Sequence, residues 1–142
     1  MATFVVDASV TLAWCFEDEA TGWTDSLLDR LSAGDRIAVP AHWPAEVSNG
    51  LLMGLRRHRI QSGRPHQFWN ELAILPIDVE PPLLSADAKA VLDLAEHHGL
   101  TVYDAVYLEL ATRRNYPLAS LDTALLAAAN QAGVTVLFAS KP

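Results

Sequence analysis

Residues 103–122, YDAVYLELATRRNYPLASLD, decide how this chain is read. Asp104 shares its helical spacing with Leu108 and Ala111, so its carboxylate opens the apolar face of a helix instead of the wet one. A charge so placed calls for a partner. Asp122 ends the run 117–121 and precedes 123–129, which reads as a short buried strand turning into another apolar helix. Both acids stand where a strand or loop gives way to a helix.

Outward from that stretch the same alternation continues. Toward the N-terminus, 86–98 reads as a helix with Ala90, Val91, Leu94 and Ala95 inward and Asp87, Lys89, Asp93 and Glu96 outward, capped by Gly99. His97 and His98 are helix-end residues, since adjacent positions cannot share one helical face. Residues 76–79 form a short strand behind a helix at 67–75, and Ser62 to Pro65 interrupt before that helix. Pro44 opens a helix with Glu46 in its first turn; Glu46 shares a stripe with Asn49, Gly50 and Met53, beside a core stripe of Val47, Leu51 and Leu55. Residues 37–40 read as a strand, 20–31 as a helix, and 8–16 as a first helix ended by Glu17, Asp18 and Glu19. The β-branched and aromatic run 3–7 is a buried first strand presenting Asp7 at its C-terminal end. Beyond Asp122, a helix over 124–132 leads through Gly133 to a final strand at 134–138. Alternating strands and helices imply an α/β fold with a mostly parallel sheet covered on both faces, and function at the C-terminal strand ends.

The 142 residues, 51% of them hydrophobic, suit a single domain over 1–142 that buries about two thirds of the surface its unfolded chain exposes. No apolar run approaches the ~20 residues that cross a membrane. Residues 1–7 lack the basic start and apolar core of a signal peptide, so a cytoplasmic protein is expected. Cys15 is the only cysteine, which excludes an intramolecular disulfide and a thiolate metal site within one chain. A formal charge of -7 argues against tight nonspecific binding to a polyanion. The stretch 56–66, RRHRIQSGRPH, runs against that balance, with four arginines and two histidines and no acid. It reads either as a cationic patch or as charges that end a helix and face water.

Four acids stand out: Asp7, Glu46, Asp104 and Asp122. Each has a structural use as well: Asp7 as an N-cap, with Ser9 an alternative cap, and Glu46 as a partner of the helix dipole. Three of the four end strands or enter helices on one expected sheet edge. Carboxylates gathered there raise one another's pKa unless a divalent cation neutralises them. Oxygen-only ligands suit Mg2+ or Mn2+, and no Cys or His cluster competes for zinc.

Four segments carry a resemblance to a known family: VVDASV at 5–10, PAEVSNGL at 44–51, GLTVYDAVYLELA at 99–111 and ASLDTALLAAA at 119–129. In order, spacing and total length the chain resembles the PIN domains, and within them the VapC-like toxins of toxin–antitoxin pairs. The resemblance covers nearly the whole chain. It implies a PIN-like three-layer fold, with four to five short strands in the central sheet. Asp7, Glu46, Asp104 and Asp122 match the family's acidic quartet, and Ser9 and Ser120 the small hydroxyl residues beside the first and last acids. The implied activity is a metal-dependent endoribonuclease. In it Asp7 and Asp104 are the principal ligands of Mg2+ or Mn2+, Glu46 orients or deprotonates the water, Asp122 completes the site, and the serines support the ligands.

Arg56, Arg57, Arg59 and Arg64 are then the candidates for phosphate contacts with RNA, joined by Arg113 and Arg114. The resemblance further implies a homodimer and a small cognate antitoxin. Tryptophans at 14, 23, 43 and 69 suggest exposed aromatic anchors, with Trp14 and Trp23 the candidates for antitoxin contact. A competing reading is a PIN-like module that binds RNA or protein without cutting; the complete quartet counts against it. A receiver domain wants paired acids after strand one and a lysine after a late strand, but only Asp7 follows strand one and Lys141 lies beyond the last. A haloacid-type phosphatase wants Asp-x-Asp where this chain has Asp7-Ala8-Ser9.

Overall fold

The computed structural model describes residues 1–137, in which strands and helices alternate as β1 (Thr3–Val6), α1 (Ala8–Ala13), α2 (Gly22–Ser32), β2 (Arg36–Val39), α3 (Trp43–Arg56), α4 (Arg64–Ala73), β3 (Ile77–Val79), α5 (Ser85–His98), α6 (Val102–Arg114), β4 (Leu118–Ala119) and α7 (Thr123–Gln131). The strands form one sheet in the order β3-β2-β1-β4, and every pairing is parallel. Successive residues of a strand point to opposite faces, and Phe4, Val5 and Val6 are all 0% exposed, so both faces of β1 are covered. Helices α1 and α6 contact β1, α2 contacts β2, and α7 contacts β4. The expected α/β fold with a parallel central sheet is what the chain adopts.

Several boundaries differ from the periodic reading. The first helix stops at Ala13, because the Trp14, Cys15 and Phe16 amides turn back onto the Thr11 and Leu12 carbonyls, and the Trp14 indole donates to the Thr24 carbonyl at 2.8 Å. Helix α4 begins at Arg64, with Pro65 in its first turn, where the amide that proline lacks has no helical partner. The strand expected at 134–138 is reduced to a bridge between Leu118 and Val136; Phe138 lies outside the described residues. Ala90 is exposed, whereas Val91 and Ala95 face inward against Ala105 and Val106 of α6 in a small second core.

Helix α3 lies unusually close to the first helix. A Cβ on Gly54 would fall 2.4 Å from Phe16 Cζ, and one on Gly50 would fall 2.4 Å from Leu12 Cδ1. Gly50 lets α3 approach α1 at Leu12, and Gly54 leaves room for the Phe16 ring in the turn that follows α1. Trp43, 2% exposed, fixes the start of α3 by donating from its indole to Thr11 Oγ1 at 3.0 Å.

Candidate active site

The parallel register sets the site. Val6 lies opposite Ala119, so the residues that follow, Asp7 and Ser120, leave adjacent strands at the same edge. Asp7 Oδ1 accepts from Ser9 Oγ at 2.6 Å and from the Val10 amide at 3.2 Å, and its Oδ2 accepts from Ser120 Oγ at 2.5 Å. The serines are themselves fixed. Ser9 Oγ accepts from the Leu121 amide at 3.0 Å and Ser120 Oγ from the Asp122 amide at 2.9 Å. Asp7 is 5% exposed, and burial pushes its carboxyl above the usual range. The hydrogen bonds from Ser120, Ser9 and Val10 oppose that rise, and the charge of Asp104 adds to it. Asp7 is therefore both the N-cap of α1 and the innermost acid of the site.

Asp122 caps α7, its Oδ1 accepting from the Ala124 and Leu125 amides at 2.9 and 3.2 Å. Asp104 enters α6 behind the N-cap Thr101, whose hydroxyl accepts the Asp104 amide at 3.1 Å. Burial raises the Asp104 carboxyl, and the charges of Asp122 and Glu46 raise it further. Glu46 Oε1 accepts from the Tyr107 hydroxyl at 2.7 Å and lies 3.0 Å from His42 Nε2. That imidazole nitrogen is off the line of a well-formed hydrogen bond. Burial pushes Glu46 up, but His42, Tyr107 and the imidazole's charge outweigh it and hold the carboxyl below its ordinary value. The Tyr107 phenol is pushed far up by burial and by the Glu46 carboxylate, so it stays a donor.

The donor set is oxygen only, which fits a hard divalent cation. The acids also lie within electrostatic reach of one another: Asp104 raises Asp7, and Asp122 and Glu46 raise Asp104. In this arrangement, among the described residues, no three His, Cys, Asp or Glu side chains converge as ligands of one ion. Asp7 has both oxygens on hydroxyls, and Asp122 and Glu46 each have one oxygen engaged.

The arginines lie elsewhere. Arg56 ends α3, ten residues and about 15 Å of helix from Glu46. Arg56 and Arg57 are exposed there. Arg59 is paired with Asp18 and Glu19 at 2.9 and 2.6 Å and lies over the Phe16 ring, and Arg64 is paired with Glu71 and lies over Phe68. The acid-free stretch finds its acids in other parts of the chain. Arg113 bonds Glu109 and Arg114 bonds Glu80. None of the four tryptophans is exposed: Trp43 is buried, and Trp14, Trp23 and Trp69 are half-buried against the core.

Sequence reasoning missed His42 and Tyr107. The i,i+4 spacing of His42 and Glu46 was a usable signal. Tyr107 reaches Glu46 across 61 residues, and no local pattern announces that.

Among solved structures, that of PAE2754 from Pyrobaculum aerophilum is similar at a TM-score of 0.70 and 23% identity, over 95% of this chain and 83% of that one. The structure of FitAcB from Neisseria gonorrhoeae is similar at a TM-score of 0.60 and 16% identity, over 95% and 96% of the two chains. At these identities the likeness is one of fold. No curated protein sequence matches this chain significantly. No helix among the described residues is long and apolar enough to cross a membrane. The family model that describes the PIN domain matches residues 4–131, a span that contains the whole acidic edge, and the chain belongs to the PIN-domain family.

Proposed function

We propose that this chain is a divalent-metal-dependent endoribonuclease acting as the toxin of a toxin–antitoxin pair. The observation that carries the reading is the buried Asp7, held by Ser9 and Ser120 where β1 and β4 end, with Asp104 close enough to raise its pKa. A buried acid crowded by other acids serves stability poorly and a cation well. PIN domains are generally nucleases and usually use divalent ions, which supports a hydrolase. The toxin role, the cognate antitoxin, the RNA substrate and a homodimer rest on the resemblance of the four segments to VapC-like toxins.

Asp7 and Asp104 would be the principal ligands for Mg2+ or Mn2+, and Asp122 would complete the set. When bound, the cation supplies Lewis-acid polarisation of the scissile phosphoryl oxygen and a water of lowered pKa. Tyr107 and His42 occupy Oε1 of Glu46, leaving Oε2 to take the proton of the attacking water. Ser9 and Ser120 hold Asp7 in register. Arg56 and Arg57 are the exposed cations through which the RNA backbone is held.

That no three acids converge among the described residues is what favours a second reading, a PIN module that binds without cutting. Cleavage of a mixed structured RNA pool by the protein and its Asp7→Asn variant, with Mg2+, Mn2+ or EDTA, separates the two. Metal-dependent, Asp7-dependent cutting that leaves 5′-phosphates supports the nuclease. Metal-independent or Asp7-independent cutting refutes this site, and absence of both cutting and calorimetric metal binding selects the noncatalytic module.

A further inference from the structure

Beside the acids, a cleft of about 350 Å3 opens between the turn after β2, the segment following β3 and the first turns of α6. His42, Pro82, Leu83, Val102, Tyr103 and Val106 line it, and none of its walls bears an arginine, lysine or carboxylate. Tyr103 immediately precedes Asp104 and is 64% exposed, although large aromatics gain most when covered. Its ring centroid lies 5.7 Å from that of His42, tilted by 50°. His42 packs edge-on against Tyr107 at 5.2 Å, and both His42 and Tyr107 meet Glu46 Oε1. An aromatic row thus runs from water to a site carboxylate, with Tyr103 as its outer member.

We propose that this cleft is a nucleobase subsite, in which an unpaired base of the RNA strand stacks on Tyr103 against His42. The inference rests on the nuclease reading above. Three observations favour a base over a peptide side chain. The cleft shares His42 with Glu46 and adjoins Asp104, so its occupant is continuous with whatever lies at the carboxylates. Its apolar walls suit the face of a base and not a phosphate. Tyrosine and histidine are also the side chains on which single-stranded RNA stacks. His42, packed edge-on against the buried Tyr107, forms the inner wall, and Tyr103, uncovered, supplies the free face.

The test uses the full chain and an RNA that it cleaves at a mapped bond, with an abasic nucleotide placed in turn at each position flanking that bond. Tyr103→Leu keeps the apolar bulk and loses the ring; Tyr103→Trp keeps a ring. The expected result is a KM raised roughly 5- to 160-fold in Tyr103→Leu, the range for losing one stacked base, with kcat little changed and rescue by Tyr103→Trp. One abasic position costs the wild type a similar factor and costs Tyr103→Leu nothing further. Wild-type kinetics in Tyr103→Leu overturn the subsite while leaving the nuclease reading intact. A loss in Tyr103→Leu that accompanies a dimer-to-monomer change in sedimentation also overturns it, by assigning the face to a second copy. A variant that cleaves normally but escapes inhibition by a protein partner overturns it in favour of a peptide. If the wild type shows no metal-dependent, Asp7-dependent cleavage, the nuclease reading fails first and takes the subsite with it. Matched thermal melts of the three proteins show that the comparison is between folded molecules.

Discussion

Tyr107→Phe removes one oxygen from the interior and nothing else. The ring is 1% exposed and stays packed, while the 2.7 Å bond from its hydroxyl to Glu46 Oε1 is lost. Hydrogen bonds to a charged group contribute about 1.5–3 kcal/mol. Glu46 keeps His42 as a neighbour and its side chain is 31% exposed, so water replaces part of the bond, and a loss of about 1–2 kcal/mol is expected. For a chain of this size that lowers Tm by roughly 3–7 °C. The sign with pH follows from Glu46, whose folded pKa is depressed below its ordinary 4.5. A depressed carboxyl contributes stability that is fully present above the unfolded value and is lost as pH falls through the folded one. The gap between wild type and Tyr107→Phe is therefore full at pH 7.5 and shrinks below about pH 4.5. Circular-dichroism melts of both proteins from pH 7.5 down to pH 4 measure it. Equal Tm values at pH 7.5, or a gap that widens on acidification, would show that Tyr107 does not hold an ionised Glu46.

Asp104→Asn is expected to abolish cleavage and yet stabilise the metal-free protein at pH 7 by about 0.5–1 kcal/mol, screening by water included. Its folded pKa is raised, first by burial and then by Asp122 and Glu46, so the carboxyl's favourable contribution is lost as pH rises. Urea unfolding in EDTA checks this, and added Mg2+ should bring the wild type back level. Gly54→Ala places a Cβ 2.4 Å from the Phe16 ring. Overpacking of about 1–3 kcal/mol should outweigh the ~1 kcal/mol gained in helix propensity, so an unchanged or raised Tm counts against the close approach of α3. Replacing Arg56 and Arg57 together by alanine should flatten the log–log salt dependence of RNA binding by about 1.4, two phosphate contacts at about 0.7 each for a single strand. An unchanged slope makes them only a solvated helix end.

The parts legible in the sequence are those with local causes. The central strand β1 carries the apolar run Phe4–Val6 because both of its faces are covered, and Asp7 and Asp122 cap helices, a role that residue type and position announce. What stayed hidden depends on meetings between distant segments. Arg59 reads as free until the 17–19 loop folds beside it, and Tyr107 reads as core until α6 meets α3. The last strand failed for another reason: β4 is only two residues long and gives 134–137 little to pair with. The tryptophans misled because bulk does not say which ring is left in water; among the large aromatics of the described residues, the exposed one is Tyr103.

The bond from Ser120 to Asp7 closes a span of 113 residues, and β1 lies between β2 and β4. During synthesis at about 5–20 residues per second, Asp7 emerges roughly 6 to 20 s before its partner exists. Until then β1 lacks one neighbour, and the carboxylate has only Ser9 and the Val10 amide to hold it. The acidic edge is thus among the last features the chain can complete, and a product truncated before β4 carries three of the four acids without the strand that gathers them. Any activity that resides there is withheld from the nascent chain by topology alone.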